Sequence, residues 1–447
     1  MKKLWEKDYE VLKEIEAFTV GKDRELDMVL APFDVLGSLA HVQMLEKIGL
    51  LSIEERETLT RGLKKIYQLI EAGNFTIDAA VEDIHSQIEL MLTKELGEVG
   101  KKIHTGRSRN DQVLLDLKLY FRYEIENITN EVKGLFDTLI LLSNQHKEVL
   151  MPGYTHMQVA MVSSFGLWFA AYAETFIDDL TVLQGVYKAI NKNPLGSAAG
   201  YGSSFPLDRQ MVTDLLGFDA LNYNVIHAQM GRGKAETFLA FGISAIAGTL
   251  GKMAMDICLY MNQNHGFFKF PDELTTGSSI MPHKKNPDVF ELIRGRCNTL
   301  QALPQRVQQL CTNLPTGYHR DYQLLKELVF PAIEELKACL SIAQFSIGKI
   351  EINPNILEDD KYRYLYTVEE VNKLVNEGVP FRDAYQIVGR QTQMGTFSFD
   401  GAIEHSHLGS LGNLANEQIQ SKMEQVLNSF EFERVKKALS PFQLPLP

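Results

Sequence analysis

Four clusters of polar side chains stand out from an otherwise apolar, helix-periodic chain, and each falls where a helix starts or a loop opens. His104-Thr-Gly-Arg-Ser-Arg-Asn-Asp111 sets two arginines around a serine, directly before a long apolar repeat. A helix N-terminus favours anions, and a guanidinium grips a carboxylate through two parallel bonds. Capping by Ser108 or Asn110 needs one polar residue and leaves the rest of the run unexplained. Pro152-Gly-Tyr-Thr-His156-Met-Gln158 presents a histidine, whose proton moves near neutral pH, though a lone histidine is more often structural. Gly277-Ser-Ser-Ile-Met-Pro-His-Lys284-Lys-Asn286-Pro-Asp-Val-Phe-Glu291 is the most specific of the four. Its Gly-Ser-Ser opening is flexible, two lysines and an asparagine follow, and Pro287 suits a first helical position with Asn286 as cap. Glu291 then falls about one and a half turns into that helix. A linker explains Gly-Ser and nothing after it. In Tyr318-His-Arg-Asp-Tyr-Gln323-Leu-Leu-Lys326, Gln323 and Lys326 lie three apart on one helical face, a spacing that an exposed helix start also shows.

One chemistry calls for all these parts. Eliminating an amine from a succinyl group takes a proton from the carbon beside a carboxylate and expels nitrogen from the neighbouring carbon. That carbon acid is very weak, so its carbanion is held as a doubly charged aci-carboxylate, which needs preorganised cations and amide donors. A base on one side and an acid on the other complete the requirement. Lys284 and Asn286 suit the first need; a serine on a mobile loop and His156 suit the second. The sequence holds neither a metal-ligand set nor a phosphate-cradling glycine loop, so no metal and no cofactor is expected.

The elements that must position these groups are helices. Leu114, Leu117, Phe121, Ile125, Ile128, Val132, Leu135, Leu139 and Leu142 recur at three- and four-residue steps, with no proline between Pro32 and Pro152. This periodicity predicts a helix from about Asn110 to about Lys147, on the order of 55 Å long at 1.5 Å per residue, which must lie in a bundle. Further helices are expected near 160–190, 234–263, 288–311 and 322–348, and few strands, because no segment sustains two-residue alternation. Three all-α regions result. Residues 1–105 read as shorter helices broken at Gly37, Gly49 and Gly73, residues 106–350 as the central long-helix bundle, and residues 351–447 as a small helical tail opened by Asn353-Pro354. In that tail Gly378-Val-Pro380 marks a turn and the stretch 400–413 a loop.

Composition narrows the class. The 447 residues carry a net charge of −12, which argues against a nucleic-acid coat, and 45% hydrophobic with 23% charged residues is ordinary for a globular protein. Cys258, Cys297, Cys311 and Cys339 are scattered without zinc spacing and read as reduced thiols of a cytoplasmic protein. The N-terminus lacks the apolar core of a signal peptide, and the most apolar stretch, Phe238 to Leu250, is too short to span a bilayer.

At these motifs the chain resembles the fumarase/aspartase superfamily, whose signature GSSxMPxKxNxxxxE is matched at every fixed position from Gly277 to Glu291. Within it the chain is similar to the argininosuccinate lyase/δ-crystallin family, through the run His104 to Val113, Glu82-Asp-Ile-His85, Pro152-Gly-Tyr-Thr-His156, Pro194-Leu-Gly-Ser197 and Gly378-Val-Pro-Phe-Arg382. The resemblance covers roughly residues 20 to 391. It implies cleavage of argininosuccinate to arginine and fumarate by anti elimination, and a homotetramer around twenty long helices with each site shared between subunits. It also implies roles. Ser278 takes the β-proton, His156 backed by Thr155 serves the departing nitrogen, and Lys284 and Asn286 hold the aci-carboxylate. Glu291 orients or charge-balances a neighbour, Arg109 and Asn110 bind a substrate carboxylate, and Tyr318, Gln323 and Lys326 bind the arginine side. Residue identity leaves open which of Ser278 and His156 is base; the serine is preferred because the family's serine loop closes over substrate.

The chain departs from the family at Met230-Gly-Arg-Gly233, where two acids and a serine are usual, at Asp23, where a serine is usual, and at His319, Arg320, Leu324, Leu325 and Thr367-Val368. These changes bear on the amine half. Two other readings therefore stand beside the first: a fumarate-releasing lyase of the same superfamily for another succinylated amine, and a catalytically silent crystallin-like protein. Retention of His156, Ser278 and Lys284 argues against silence.

Overall fold

The computed structural model describes residues 13–445. The N-terminal stretch read as lacking a signal peptide lies largely outside them. The chain opens with helices α1 (Lys13–Val20), α2 (Asp23–Lys47), α3 (Ile53–Glu71), α4 (Ile84–Leu96) and the short α5 (Glu98–Lys101). The longest helix, α6 (Arg109–Gln145), leads into a hairpin of β1 (Leu150–Thr155) and β2 (Gln158–Ser164), and α7 (Phe165–Ile190) runs back beside it. Strand β3 (Lys192–Asn193), α8 (Arg209–Leu215), β4 (Ala220–Leu221) and α9 (Val225–Gln229) make a compact turn before α10 (Lys234–Met261). Short strands β5 (Phe268–Lys269), β6 (Thr276–Gly277) and β7 (Lys285–Asn286) precede α11 (Asp288–Leu300), α12 (Leu303–Leu310) and α13 (Leu325–Ile347). Strand β8 (Glu351–Ile352) pairs with β5, and α14 (Thr367–Asn376), α15 (Phe381–Gln393), α16 (Asn416–Asn428) and α17 (Phe432–Leu439) complete the chain. The fold is all-α in substance.

Helix α6 begins where its sequence says it must. Ser108 Oγ accepts from Asn110 N at 3.2 Å, and the Asp111 carboxylate accepts from Ser108 N at 2.8 Å, which closes a capping box. The apolar seam from Leu114 to Leu142 is buried along its whole length. Helices of the same chain bury it, since α2, α7 and α13 all pack on α6. Lack of cover for this seam therefore does not demand a second copy. Exposed apolar side chains lie elsewhere in the bundle: Phe241 and Met255 on α10, Leu292 on α11, and Ile342 and Phe345 on α13.

Several local expectations are corrected. Gly37 does not break a helix; it sits inside α2, where a Cβ would lie 2.6 Å from Leu115 Cδ2, so it permits close approach of α2 to α6. Gly49 and Gly73 do end α2 and α3, both at positive φ. The segment 160–164 is strand rather than helix. The expected helix 288–311 is two helices, because Pro304 in the first turn of α12 has no N–H to continue the ladder. Asn286 lies in β7 and Pro287 caps α11, one residue later than expected, which leaves Glu291 in the first turn. Helices α2 and α10 are each long and apolar enough to cross a membrane, α10 because it extends well beyond the stretch Phe238 to Leu250, which alone is too short. Most of each apolar window, 78% in α2 and 56% in α10, is buried inside the protein, as a core helix requires.

The helix directions give the bundle two poles. At one pole lie the starts of α6, α10 and α13, whose neighbours Arg109, Arg232 and Lys326 line one cavity. At the other lie the end of α10 and the starts of α7 and α11. There Phe165 and Trp168 of α7 pack on Phe268, and Tyr154 of the hairpin packs on His265 and Phe267. Helix α6 spans the distance, ~55 Å for its 37 residues at 1.5 Å each.

Candidate active site

The cleft at the first pole has a volume of about 140 Å³ and collects groups from five separate stretches of chain. The capped start of α6 supplies Arg109 and Asn110, the segment before α13 supplies Tyr318 and Gln323, and the first turn of α13 supplies Lys326. The two arginines of the RSR run divide their work. Arg107 is turned inward, donating to Ser38 Oγ and Ile103 O, both at 2.9 Å. Arg109 stays at the cleft, 3.1 Å from Asp83 and 3.4 Å from Glu82. Asp83 also caps α4 by accepting from Ser86 N at 2.8 Å. Burial pushes the Asp83 carboxyl up, but His85, Arg109 and the Ser86 hydrogen bonds outweigh it and hold the group below its ordinary value.

Lys326 is buried, with its ammonium against Asp27 at 2.5 Å and in an ion pair with Asp23. Burial alone would lower the Lys326 pKa; the two carboxylates reverse that and raise it. Asp23 is raised by burial and by its neighbour Asp27, against the pull of Lys326. Gln323 donates to Thr19 O and Val20 O, both at 3.0 Å, and Arg320 donates to Thr19 O at 2.9 Å, tying the end of α1 over the cleft. Arg232 is buried, with Glu236 at 2.9 Å. The adjacent Gly233 caps α10 at φ +77°, and a Cβ there would lie 2.6 Å from Cys311 Sγ. The departures at Asp23 and Arg320 thus border this cleft beside the retained Arg232, whereas Gly233 is a packing requirement.

The other pole carries the remaining candidates. In the β1–β2 hairpin the turn is His156-Met157, with φ of +52° and +61°. Such a turn normally uses glycine or asparagine, so holding a histidine there is strained backbone at an exposed tip. Tyr154 anchors the hairpin, its hydroxyl 3.3 Å from that of Tyr362. Thr155 and His156 are both exposed. The loop between β6 and β7 bears Ser278, whose Oγ accepts from Ile280 N at 3.3 Å and Met281 N at 3.1 Å. Lys284 points to solvent, and Asn286 Nδ2 donates to Thr276 Oγ1 at 3.4 Å. Glu291 is exposed in α11 with Arg294 3.8 Å away.

One chain therefore brings together Arg109, Asn110, Tyr318, Gln323 and Lys326. It holds Thr155, His156, Ser278, Lys284, Asn286 and Glu291 at the opposite pole. Sequence reasoning missed Asp27 and the cleft positions of Glu82, Asp83 and His85. The four-residue spacing of Asp23 and Asp27, and an Asp at a helix start followed by His85, were the available signals. Asp34, His85 and Asp116 offer oxygen and nitrogen atoms within 4.8 Å of one another, the spacing of a metal set. Proton sharing suits them better, since the His85 Nδ1–H is already engaged by Asp34 and the positive Arg107 lies beside both acids.

Residues 13–301 match the Lyase family. Among solved structures, EDDS lyase superposes with a TM-score of 0.75 at 21% identity, covering 96% of this chain and 94% of that one. A class II fumarase from Schistosoma mansoni gives 0.71 at 15% identity over 93% and 94%. Fold and family match together define an all-helical lyase of the fumarase/aspartase superfamily. At the level of sequence the chain is 59% identical over 436 residues to the argininosuccinate lyase of Phocaeicola vulgatus, covering 98% of each. It belongs to the argininosuccinate lyase family.

Proposed function

We propose that this lyase cleaves argininosuccinate into arginine and fumarate, as a step of arginine biosynthesis, in a cytoplasmic homotetramer whose sites are shared between subunits. The observation that carries the reading is the mixed charge of the Arg109 cleft. Cations (Arg109, Arg320, Lys326) stand beside carboxylates (Asp23, Glu82, Asp83), which suits a ligand bearing both a guanidinium and carboxylates. The full-length likeness to an argininosuccinate lyase supports the same substrate. The four cysteines are unpaired, in keeping with a reducing compartment.

Residue roles follow from the chemistry. A base removes the β-proton, and the C–H electron pair is held in the adjoining carboxylate as its aci form. That pair then makes the C=C bond as the C–N pair departs onto nitrogen, which takes a proton from an acid. Ser278 is assigned as the base, and His156, backed by Thr155, as the acid. Lys284 and Asn286 stabilise the aci-carboxylate by charge and hydrogen bonding, with Glu291 orienting or balancing a neighbour. Arg109 and Asn110 bind substrate carboxylate, and Tyr318, Gln323 and Lys326 bind the arginine side. Because these two groups of residues sit at opposite poles, a complete site needs antiparallel copies. The outward-facing Phe241, Met255, Leu292, Ile342 and Phe345 supply apolar surface for that packing.

Incubation with argininosuccinate, followed by ultraviolet absorbance of fumarate, tests the reading, with adenylosuccinate as the comparison. Fumarate release from argininosuccinate is expected. Release from adenylosuccinate alone would favour another succinylated amine, consistent with the altered residues Asp23 and Arg320 at the cleft.

A further inference from the structure

At the floor of the Arg109 cleft, His85 is arranged differently from every other cleft cation discussed above. Arg109 faces Glu82 and Asp83, Lys326 is engaged by Asp23 and Asp27, Arg232 by Glu236, and Arg320 by the Thr19 carbonyl. The partners of His85 lie behind it. Its Nδ1 donates to Asp34 of α2, and Asp116 of α6 lies 3.5 Å from the same nitrogen. The ring edge turned away from Asp34 carries Nε2, which makes no hydrogen bond to the described residues, and the ring lines the cleft. A histidine whose inner nitrogen is fixed by a carboxylate presents its outer N–H in one set direction.

We propose that His85 is a further substrate-binding residue, a cationic side chain braced from beneath by Asp34 and Asp116 that donates its Nε2–H to a carboxylate of the substrate in the Arg109 cleft. This rests on the reading that the cleft binds substrate. Asp34 and Asp116 are positioning residues in this arrangement. Burial would lower the His85 pKa, but the Asp34 charge and hydrogen bond, with Asp116 and Asp83 assisting, push it up to about 9. Asp34 itself is held below its ordinary value, burial opposing and His85 prevailing, while burial and the Asp34 charge drive Asp116 well above its own. The other charged groups around the cluster are Arg107 and His104, from the segment before α6, and Glu89 of α4. His104 is pushed down to about 4, chiefly by burial and then by Arg107 and Arg109, so it brings no competing charge at neutral pH.

Steady-state kinetics of the assembled enzyme with argininosuccinate across pH 6 to 10 tests this, using wild type, His85→Gln, Asp34→Asn and Arg109→Gln. The sign is set by the raised pKa: the ring is charged below about 9, so wild-type KM is expected to rise as pH climbs through that value. His85→Gln is expected to raise KM about tenfold or more at neutral pH, change kcat less, and abolish that alkaline rise. Asp34→Asn is expected to move the rise to lower pH by more than about one unit, since the ring loses the charge that holds its proton. A purely structural loss would raise KM at all pH values and leave the rise where it was. If His85→Gln destabilises the protein, the Asp34→Asn profile decides alone, and an unmoved alkaline limb overturns the proposal. Unchanged KM and pH profile in His85→Gln, with KM raised in Arg109→Gln, overturns the role of His85 and leaves the cleft reading standing. Unchanged KM in both overturns the two together.

Discussion

His156 is exposed and Ser278 half-buried, and both are held by local backbone geometry. Ser278 accepts from two backbone amides of its own loop, leaving its proton undirected, and His156 holds a left-handed backbone at an exposed turn. Neither contributes buried packing, so changing them should leave the fold intact. Ser278→Ala and His156→Asn are each expected to cut turnover by on the order of a hundredfold or more, with unaltered circular dichroism and melting temperature. Near-normal turnover in both would refute the assigned roles. At this scale the sequence singled out Arg109 and Lys326 by side-chain type, and the fold brings both to one cleft. It was less legible where partners are distant in the chain. Asp27 is separated from Lys326 by most of the sequence, and nothing local marks it as the ammonium's counterion. The distinction between Arg107 and Arg109 was likewise hidden, because it depends on Ser38 of α2.

Among the elements, α6 was the most legible, since its seam and its capping box give the same start. The hairpin was not. Its strands are only partly buried, and its turn uses His-Met where local rules look for glycine or asparagine. The expected break at Gly37 failed for a physical reason: a glycine in a helix signals either a terminus or a close contact, and the partner at the contact, Leu115, cannot be seen locally. Adding a branched side chain there overpacks the α2–α6 contact. Gly37→Val is expected to destabilise by about 1–3 kcal/mol, and pairing it with Leu115→Ala should recover part of that loss. Denaturant melts of the two single variants and the double variant measure the coupling; strict additivity would show that α2 and α6 do not meet there.

Across the whole molecule, the governing fact is that the candidate residues occupy two poles separated by the length of α6. No rotation of a loop spans ~55 Å, so the roles proposed for Arg109 and for Ser278 and His156 are compatible only if one site draws on the Arg109 pole of one copy and the Ser278–His156 pole of another. The need for separate helix ends was readable from α6 alone, but which residues share a pole was not, because that depends on the directions of α7, α10, α11 and α13. The seam of α6, covered within the chain, gives no reason for assembly; the outward-facing apolar residues of α10, α11 and α13 do.

The measurement that bears most directly on this account is subunit complementation between the poles. Arg109→Gln subunits and inactive Ser278→Ala subunits are mixed, dissociated and reassembled, and mixed oligomers are verified by mass. Fumarate release is followed at an argininosuccinate concentration far below the raised KM of Arg109→Gln, where that variant alone turns over little. With random reassortment, a site drawing Arg109 from one copy and Ser278 from another escapes both substitutions in about a quarter of cases. Recovery of up to about that share of normal activity is the expected result. No recovery in verified mixed oligomers would mean that one chain builds its own site, and the two-pole account would be wrong.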